Sequence, residues 1–261
     1  MAKRFTFGIQ AKTTLVLGGL IAIVLIIISY TSNLQSRNLP ETTVLELEQR
    51  NSFVLKYAIE LAMKNHNQNL QSLRDTPPIQ AIMRARANNG VDPISGNTLE
   101  QWRQRLAVIL RAFISNHSEY QQIRFLDVKG DELVRVHRIV NGEVSIVPES
   151  ALQNKAHSLY VKEAAKLKAG QTYYSGVSLN REYGAIQLPH MPVLRMATPV
   201  FSTDANVSGV LVLNLSTEEL FHGIASQTNG VQRAIADDQG YFIKHAEPSK
   251  TFGFDMGVDY T

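Results

Sequence analysis

Arginine, tyrosine and asparagine side chains between residues 124 and 195 have the chemistry of a receptor for a small anion. An arginine shielded from water binds a carboxylate through two parallel hydrogen bonds, and a tyrosine provides a flat apolar wall with a hydroxyl at its edge. We therefore predict a site for a small anionic or zwitterionic ligand, such as an organic acid or an amino acid. The predicted ligand-binding residues are Arg124, Arg135, Tyr160, Tyr173, Tyr174, Asn180 and Arg195.

The three arginines differ in how strongly their neighbours favour a binding role. Arg195 lies within the apolar run 193–197, where a buried charge would need a partner. Arg124 and Arg135 have an alternative interpretation, in which they face solvent from their strands and pair with acids such as Asp131 or Glu132. Arg195 is therefore the strongest prediction of the three.

Other chemistries lack the residues that they need. The 261-residue chain has no cysteine, its seven histidines show no H-x-x-x-H spacing, and neither a G-x-S-x-G motif nor a phosphate-binding loop is present. The net charge of +3 comes without a polybasic tract. We therefore predict no catalytic residue, no metal, no cofactor and no nucleic-acid partner, and we expect that the chain is not an enzyme.

Helices and short strands must position these side chains. Apolar residues at helical spacing predict helices over 99–115 and 152–168, with a further helix opening at Thr217. Strand patterns cover 122–126, 132–140, 144–147, 173–179, 193–201 and 208–215. The last strand is the most hydrophobic, and we expect it to be the most central. The order predicts an α+β domain over residues 79–228 with one antiparallel sheet of about five strands.

A short pattern recurs later in the chain. Asp127–Gly130 follows an apolar strand and precedes another strand, and Asp237–Gly240 does the same. The recurrence predicts that a second module of the same kind begins at residue 229. Only residues 229–261 are left for it, and we expect this module to be incomplete in the chain.

The N-terminus has the pattern of a membrane anchor. Thr13–Tyr30 contains no charge and is long enough to cross a bilayer as a helix, and three basic residues precede it. The positive-inside rule predicts a cytoplasmic segment over 1–12, a transmembrane helix over 13–32 in the inner (plasma) membrane, and a periplasmic or extracellular remainder. A cleaved signal peptide is the alternative, although no A-x-A cleavage site follows the apolar run.

A long helix over residues 33–78 should leave the membrane. Leu47, Val54 and Leu61 recur every seven residues, which is the spacing of a coiled-coil seam. Packing within the chain's own domain explains the pattern as well as packing against a partner chain does. We predict a homodimer through this helix.

Several longer blocks resemble a known family. They read YQQIRFLDVKG at 120–130, LQNK at 152–155, SLNREYG at 178–184, PVLRMATPV at 192–200, GVLVLN at 209–214 and HAEPSKTFGF at 245–254. In these blocks the chain resembles the double-Cache (tandem PAS-like) extracytoplasmic sensor regions of bacterial transmembrane sensor histidine kinases and diguanylate cyclases. We expect the second module of that arrangement to be truncated here.

The resemblance implies a small-ligand sensing domain of a membrane-bound signal-transduction receptor, such as one of a two-component system. It also implies an output domain, and no motif of such a domain occurs in this chain. One alternative is a membrane-anchored module that binds a periplasmic protein partner without a small ligand. The other is a membrane-tethered hydrolase, for which no nucleophile or metal centre is visible.

Overall fold

A computed structural model describes residues 23–29, 41–221 and 234–258 of the chain. The chain divides into two compact units, residues 1–58 and 59–261. Residues 23–29 form helix α1, and helix α2 covers Glu41–Arg74. The predicted cytoplasmic segment and most of the predicted anchor lie outside the described residues. Among the helices that are described, none combines the length and the apolar character needed to cross a membrane.

Three helices lie between α1 and the sheet. Helix α2 ends at Arg74, four residues before the end of the long helix predicted over 33–78, and a separate helix, α3 (Pro77–Ala87), which was not predicted from the sequence, begins within that range. Its first residue is a proline, which suits the first turn of a helix because the N–H there has no partner within the helix. Helix α4 (Leu99–Ser115) has the predicted bounds. Thr98 caps it, because its hydroxyl accepts from the Gln101 backbone and the Gln101 side chain accepts from the Thr98 backbone.

A six-stranded antiparallel sheet dominates the second unit, so the sheet has one strand more than predicted. Its spatial order is β3-β2-β1-β8-β7-β4, which confirms a central position for β8, beside β1. A separate two-stranded hairpin, β5–β6, lies between β4 and β7 in the chain, and a short helix, α6, follows β8. The bounds are β1 (Tyr120–Asp127), β2 (Glu132–Arg138), β3 (Val144–Ile146), β4 (Tyr173–Leu179), β5 (Arg181–Glu182), β6 (Ala185–Ile186), β7 (Pro192–Phe201), β8 (Val207–Ser216) and α6 (Thr217–Leu220).

The two faces of the sheet differ in chemistry. One face packs against the helices, and Ile123 and Phe125 of β1 join Leu110 of α4 in the larger hydrophobic core. The other face carries a small apolar cluster that includes Val212, and beside it buried polar side chains. Alternate residues of a strand point to opposite faces, so Arg124 lies on this polar face although both of its neighbours are in the core.

A β-bulge in β2 brings an acid and a base to the same face. Phe125 of β1 lies opposite Val134, whereas the next residue, Leu126, lies opposite Glu132. The strand β2 therefore has one extra residue at this point. In a regular strand, Glu132 and Arg135 would point to opposite faces, because they are three positions apart. As a result, Arg135 and Glu132 are neighbours on the polar face, with Nη1 3.2 Å from Oε2.

The segment before β4 contains much less helix than predicted. In place of a helix over 152–168, the structure has α5 (Leu159–Ala164), and residues 152–158 are not helical. The Gln153 backbone N–H donates to the Glu132 carboxylate at 2.9 Å, and the Asn154 side chain donates to Asp131 at 2.7 Å. These bonds to the first residue of β2 and to the residue before it compete with the helical conformation.

Residues 234–258 repeat a turn of the first module. Strands β9 (Ile235–Ala236) and β10 (Phe242–Lys244) pair around the Asp237 turn, and helix α7 (Gly253–Met256) follows. In both the Asp127 and the Asp237 turn, the aspartate Oδ1 accepts from the backbone N–H groups two and four residues later. The glycine of each turn has a positive φ. The two turns therefore have the same local structure.

Candidate functional site

A cavity of about 740 Å³ opens on the polar face of the sheet. This volume lies in the range of cavities that hold small molecules. The wall is formed by residues of β1, β4 and β7, by residues 152–160 and by the β5–β6 hairpin. Its polar lining includes Arg124, Lys155, Tyr160, Ser178, Asn180, Arg181 and Arg195.

The carboxylate of Glu182 lies at the centre of a polar cluster beside this cavity. Its Oε1 accepts from one arginine and two amides, and its Oε2 accepts from one arginine, one lysine and one amide, at distances between 2.8 and 3.4 Å. We call Glu182 and these six donors the Glu182 cluster. The donors are Gln122, Arg124, Arg135, Gln153, Lys155 and Asn180.

A tight hairpin brings Glu182 to this position. Tyr183 and Gly184 join β5 to β6 and have φ values of 52° and 83°, which is the conformation of a two-residue type I′ turn. A positive φ is uncommon for tyrosine, and tertiary bonds hold Tyr183 there. Its backbone N–H donates to Gln153 at 3.2 Å, and its hydroxyl donates to the Ala151 carbonyl at 3.1 Å. The hairpin is therefore tied to the segment that precedes α5.

Glu182 stays ionised because cations surround it. Burial alone would raise its pKa, but Arg124, Lys155 and two glutamine amides lower the pKa from 4.5 to about 2. A second buried carboxylate, Glu132, lies 3.2 Å from Arg124 and 3.2 Å from Arg135. Three cations therefore meet two carboxylates, and the internal charges of the cluster nearly balance.

Arg195 lines the same cavity in a different environment. Its Nη1 donates to the Ser178 hydroxyl at 2.8 Å, its Nη2 donates to Asn180 Oδ1 at 3.3 Å, and its guanidinium lies 5.9 Å from the centre of the Tyr160 ring. Burial lowers the pKa of Arg195. Arg124, Lys155 and Arg181 each form an ion pair with a carboxylate, whereas Arg195 forms none within the described part of the chain.

Four of the seven predicted binding residues line the cavity, namely Arg124, Tyr160, Asn180 and Arg195. Arg135 lies behind the wall, within the Glu182 cluster. The alternative in which Arg124 and Arg135 face solvent is wrong, because both are buried, although the expected pairing with Glu132 is confirmed.

The remaining two, Tyr173 and Tyr174, do not line the cavity. They lie on the edge strand β4 opposite Ala197 and Met196, and neighbouring strand residues point to opposite faces. Tyr173 packs against the small apolar cluster, and Tyr174 is largely exposed. Tyr173 is on the same face of the sheet as Arg195, because its partner Ala197 is two residues from Arg195, but neither tyrosine belongs to the cavity wall.

Glu182, Gln153 and Lys155 are members of the site that were not predicted from the sequence. An acid directly before a Tyr-Gly turn normally lies in solvent, and nothing in its local sequence indicates burial. The available signal was that all three residues belong to sequence blocks that resemble the sensor family, LQNK at 152–155 and SLNREYG at 178–184.

Other parts of the structure offer less suitable sites. A cavity of about 350 Å³ near the β1–β2 turn includes Arg84 and Arg86, but each of these already bonds an aspartate. Within residues 23–29, 41–221 and 234–258, no group of three or more histidine and acidic side chains could hold a metal ion. The cavity beside the Glu182 cluster is therefore the strongest candidate site.

Comparison with solved structures supports this fold. The chain is similar to a domain of a sensory box/GGDEF family protein from Vibrio parahaemolyticus, with a TM-score of 0.66 and 22% identity over 82% of this chain and 76% of that one. It is also similar to the extracellular domain of a protein assigned as a histidine kinase, with a TM-score of 0.65 and 21% identity over 82% of this chain and 72% of that one. A third similar structure is the ligand-binding domain of a Campylobacter jejuni chemoreceptor in complex with 4-methylisoleucine, with a TM-score of 0.50 and 14% identity over 85% of this chain and 77% of that one. A search of curated proteins found no match.

A family match covers most of the second unit. The family described as bacterial histidine kinase, sensor domain, matches residues 91–258, which contain the cavity wall, the Glu182 cluster and the repeated turn. Together with the shared fold, this match confirms the predicted resemblance to Cache-type sensor domains. The chain therefore belongs to the bacterial histidine kinase sensor domain family.

Proposed function

We propose that this chain is the extracytoplasmic, small-ligand sensing part of a membrane-bound signal-transduction receptor of the histidine kinase or diguanylate cyclase type. The observation that carries the proposal is Arg195, a guanidinium on a cavity wall that has no ion pair with any described carboxylate. An arginine in that situation binds an anion more favourably than it binds water, because its charge is incompletely compensated. The role is recognition, and we propose that the chain is not an enzyme.

The ligand that suits this cavity is a small organic acid or amino acid. Arg195 uses one donor on Ser178 and one on Asn180, so other guanidinium donors are left for a ligand carboxylate. Tyr160 provides a ring on one side, and Arg124 also lines the wall. A similar solved domain, that of a chemoreceptor, holds 4-methylisoleucine, which is a zwitterionic ligand.

The proposed topology follows the charge pattern of the N-terminus. Residues 1–12 would be cytoplasmic, 13–32 would cross the inner membrane, and 33–78 would form the membrane-exit helix, followed by a distal module over 79–228 and the start of a proximal module over 229–261. A polar contact supports a link between the exit helix and the sheet, because the Gln71 side chain donates to Thr172 at 2.8 Å and to Thr198 at 3.3 Å.

Two copies of the chain would associate through helix α2. Its seam residues Val54, Ala58 and Leu61 are exposed, so packing within the described chain does not account for their spacing. A heptad of exposed apolar residues is typical of helices that pack against a partner helix. Ligand binding would then shift the population of two arrangements of α2.

A thermal-shift screen of the full chain in lipid nanodiscs tests the ligand proposal. The panel contains small organic acids and amino acids. A ligand at a hundred times its Kd stabilises the folded state by about 2.7 kcal/mol, which for a domain of this size raises Tm by about 5 to 10 °C. We expect at least one compound of the panel to raise Tm by this amount, and we expect the increase to be absent in Arg195→Ala.

Arg105→Ala is the matched control. Arg105 is an exposed arginine that lies over the Trp102 ring, 4.4 Å from its centre, away from the cavity. The ligand-induced shift should survive this change. A panel that produces no shift in a cooperatively melting wild-type protein would contradict the small-ligand proposal and favour a periplasmic protein partner.

A further inference from the structure

The Glu182 cluster has the composition of a carboxylate-binding site that already contains a carboxylate. Two arginines, a lysine and three amides converge on the two oxygens of Glu182, and they come from β1, β2, the segment 153–155 and Asn180, which directly follows β4. Such a set of charge-assisted bonds is what a receptor uses to hold the carboxylate of a free ligand. Here the carboxylate is tethered to the chain through the β5–β6 hairpin.

Arg195 is the second position in the cavity where an anion could bind, and it lies directly beside the Glu182 cluster. Asn180 contacts both, because its Nδ2 donates to Glu182 at 3.4 Å while its Oδ1 accepts from Arg195 at 3.3 Å. A ligand carboxylate on Arg195 would therefore lie one side chain away from the carboxylate of Glu182.

We propose that Glu182 is a specificity-determining residue that fills one of two neighbouring carboxylate positions, so that the cavity selects ligands with a single carboxylate. This inference rests on the proposed ligand site at Arg195. A ligand with a second carboxylate would meet either the negative charge of Glu182 or cations that Glu182 already neutralises. Like charges at such separations in a partly buried site repel each other strongly.

The first test removes the tethered carboxylate and supplies a free one. Glu182→Ala leaves three cations with one carboxylate, Glu132, and we expect its Tm to fall below that of the wild type. Acetate, titrated against sodium chloride at constant ionic strength, should then raise the Tm of Glu182→Ala saturably and by several degrees. The same titration should raise the Tm of the wild type less than half as much.

Two further variants show where acetate acts. Glu163→Ala is the control, because Glu163 pairs with Lys166 at the surface of the chain, and its response should match that of the wild type. In the double variant Glu182→Ala with Arg195→Ala, the extra response to acetate should persist, since it comes from the Glu182 cluster. If Glu182→Ala responds to acetate no more than Glu163→Ala does, the inference is wrong.

The second test compares butyrate with succinate, which differ by one carboxylate on the same four-carbon chain. We expect the wild type to bind butyrate more tightly, and we expect Glu182→Ala to shift the affinity ratio towards succinate by about tenfold or more. If Glu182→Ala does not melt cooperatively, Glu182→Gln removes the charge at nearly constant size and should shift the ratio in the same direction. An unchanged ratio in the folded variant contradicts the inference.

The two proposals fail in different ways. Binding of butyrate that needs Arg195, with a ratio to succinate that Glu182 does not affect, would overturn the role of Glu182 and leave the ligand site intact. If acetate stabilises Glu182→Ala but the wild type binds no compound of the panel, the ligand proposal is overturned. The claim that Glu182 fills a carboxylate-binding position is then supported.

Discussion

Glu182 and Arg195 lie in one polar region, yet their charges are compensated to different degrees. Glu182 accepts from six side chains, three of them cations, whereas Arg195 donates to two neutral oxygens. A carboxylate with that many partners contributes to the stability of the fold, and a guanidinium with so few can bind a ligand. Under the proposed function, Arg195 is therefore the charge that is available to a ligand, whereas the charge of Glu182 is already neutralised within the fold.

Replacing Glu182 with glutamine should change how stability depends on pH. Folding lowers the pKa of Glu182 from 4.5 to about 2, so its charge stabilises the folded state above pH 4.5, and this contribution disappears as the pH falls towards 2. We expect the wild type to exceed Glu182→Gln by about 2 kcal/mol in unfolding free energy at pH 7, after allowance for partial solvent screening. Urea unfolding between pH 7 and pH 3 measures this difference, which should shrink below pH 4.5. A difference that stays constant over that range would show that the glutamate charge is not responsible.

The central strands β1 and β8 position the polar face, and their close packing leaves little space at one point. Gly209 of β8 pairs with Asp127 of β1, and a Cβ at Gly209 would lie 2.5 Å from the Leu126 carbonyl oxygen and 3.0 Å from the Phe125 ring. Both atoms belong to well-packed central structure that cannot easily move. Glycine at this position therefore allows the two strands and the Phe125 ring to pack closely.

Gly209→Ala should destabilise the fold by about 2 kcal/mol, because the added methyl group overpacks the centre of the sheet. Urea unfolding monitored by circular dichroism measures the change. Gly176→Ala in the edge strand β4 is the matched control, since a Cβ there has no heavy atom within 4 Å. We expect Gly176→Ala to stay within about 0.5 kcal/mol of the wild type. Equal effects of the two substitutions would contradict the packing argument.

At the scale of the whole molecule, the repeat segment 234–258 contacts the wall of the cavity. Asp255 of α7 accepts from the Leu179 backbone N–H at 2.6 Å and pairs with Arg181 at 3.4 Å. These two residues flank Asn180, which bonds both Arg195 and Glu182. The wall of the cavity is therefore bonded directly to the segment where a second module is predicted to begin.

Asp255→Ala should loosen the end of β4. The Leu179 N–H would lose its acceptor, and such a loss costs about 1 to 3 kcal/mol, which corresponds to roughly tenfold faster amide hydrogen exchange or more at Leu179. Hydrogen exchange measured by mass spectrometry on peptides that cover β4 reports this change. Asp238→Ala changes an aspartate of the same segment in the β9–β10 turn and should leave the exchange of β4 unaltered. Unchanged exchange in Asp255→Ala would contradict the link.

Local sequence was sufficient for the elements that depend on local physics. The apolar spacing of 99–115 predicts α4 with its observed bounds, the alternation over 173–179 predicts β4, and the D-x-x-G patterns predict two turns with the same hydrogen bonds. Periodicity and turn chemistry act over a few residues, so the chain reveals them directly. Arg195 could be singled out for a similar reason, because its apolar neighbours predict a partly buried strand.

Only the tertiary structure decided which side chains meet. The donors to Glu182 lie up to 60 residues away in the chain. The β-bulge in β2 determines that Glu132 and Arg135 share a face. Bonds from residues 153 and 154 to the start of β2 and the residue before it replace most of a predicted helix. The local sequence does not indicate that a charged residue before a turn is buried. The cost of its desolvation is offset by partners that folding brings together from distant strands. The sequence by itself therefore determined the class of fold and the presence of an arginine suited to an anion, whereas the charge balance around that arginine arises from long-range packing.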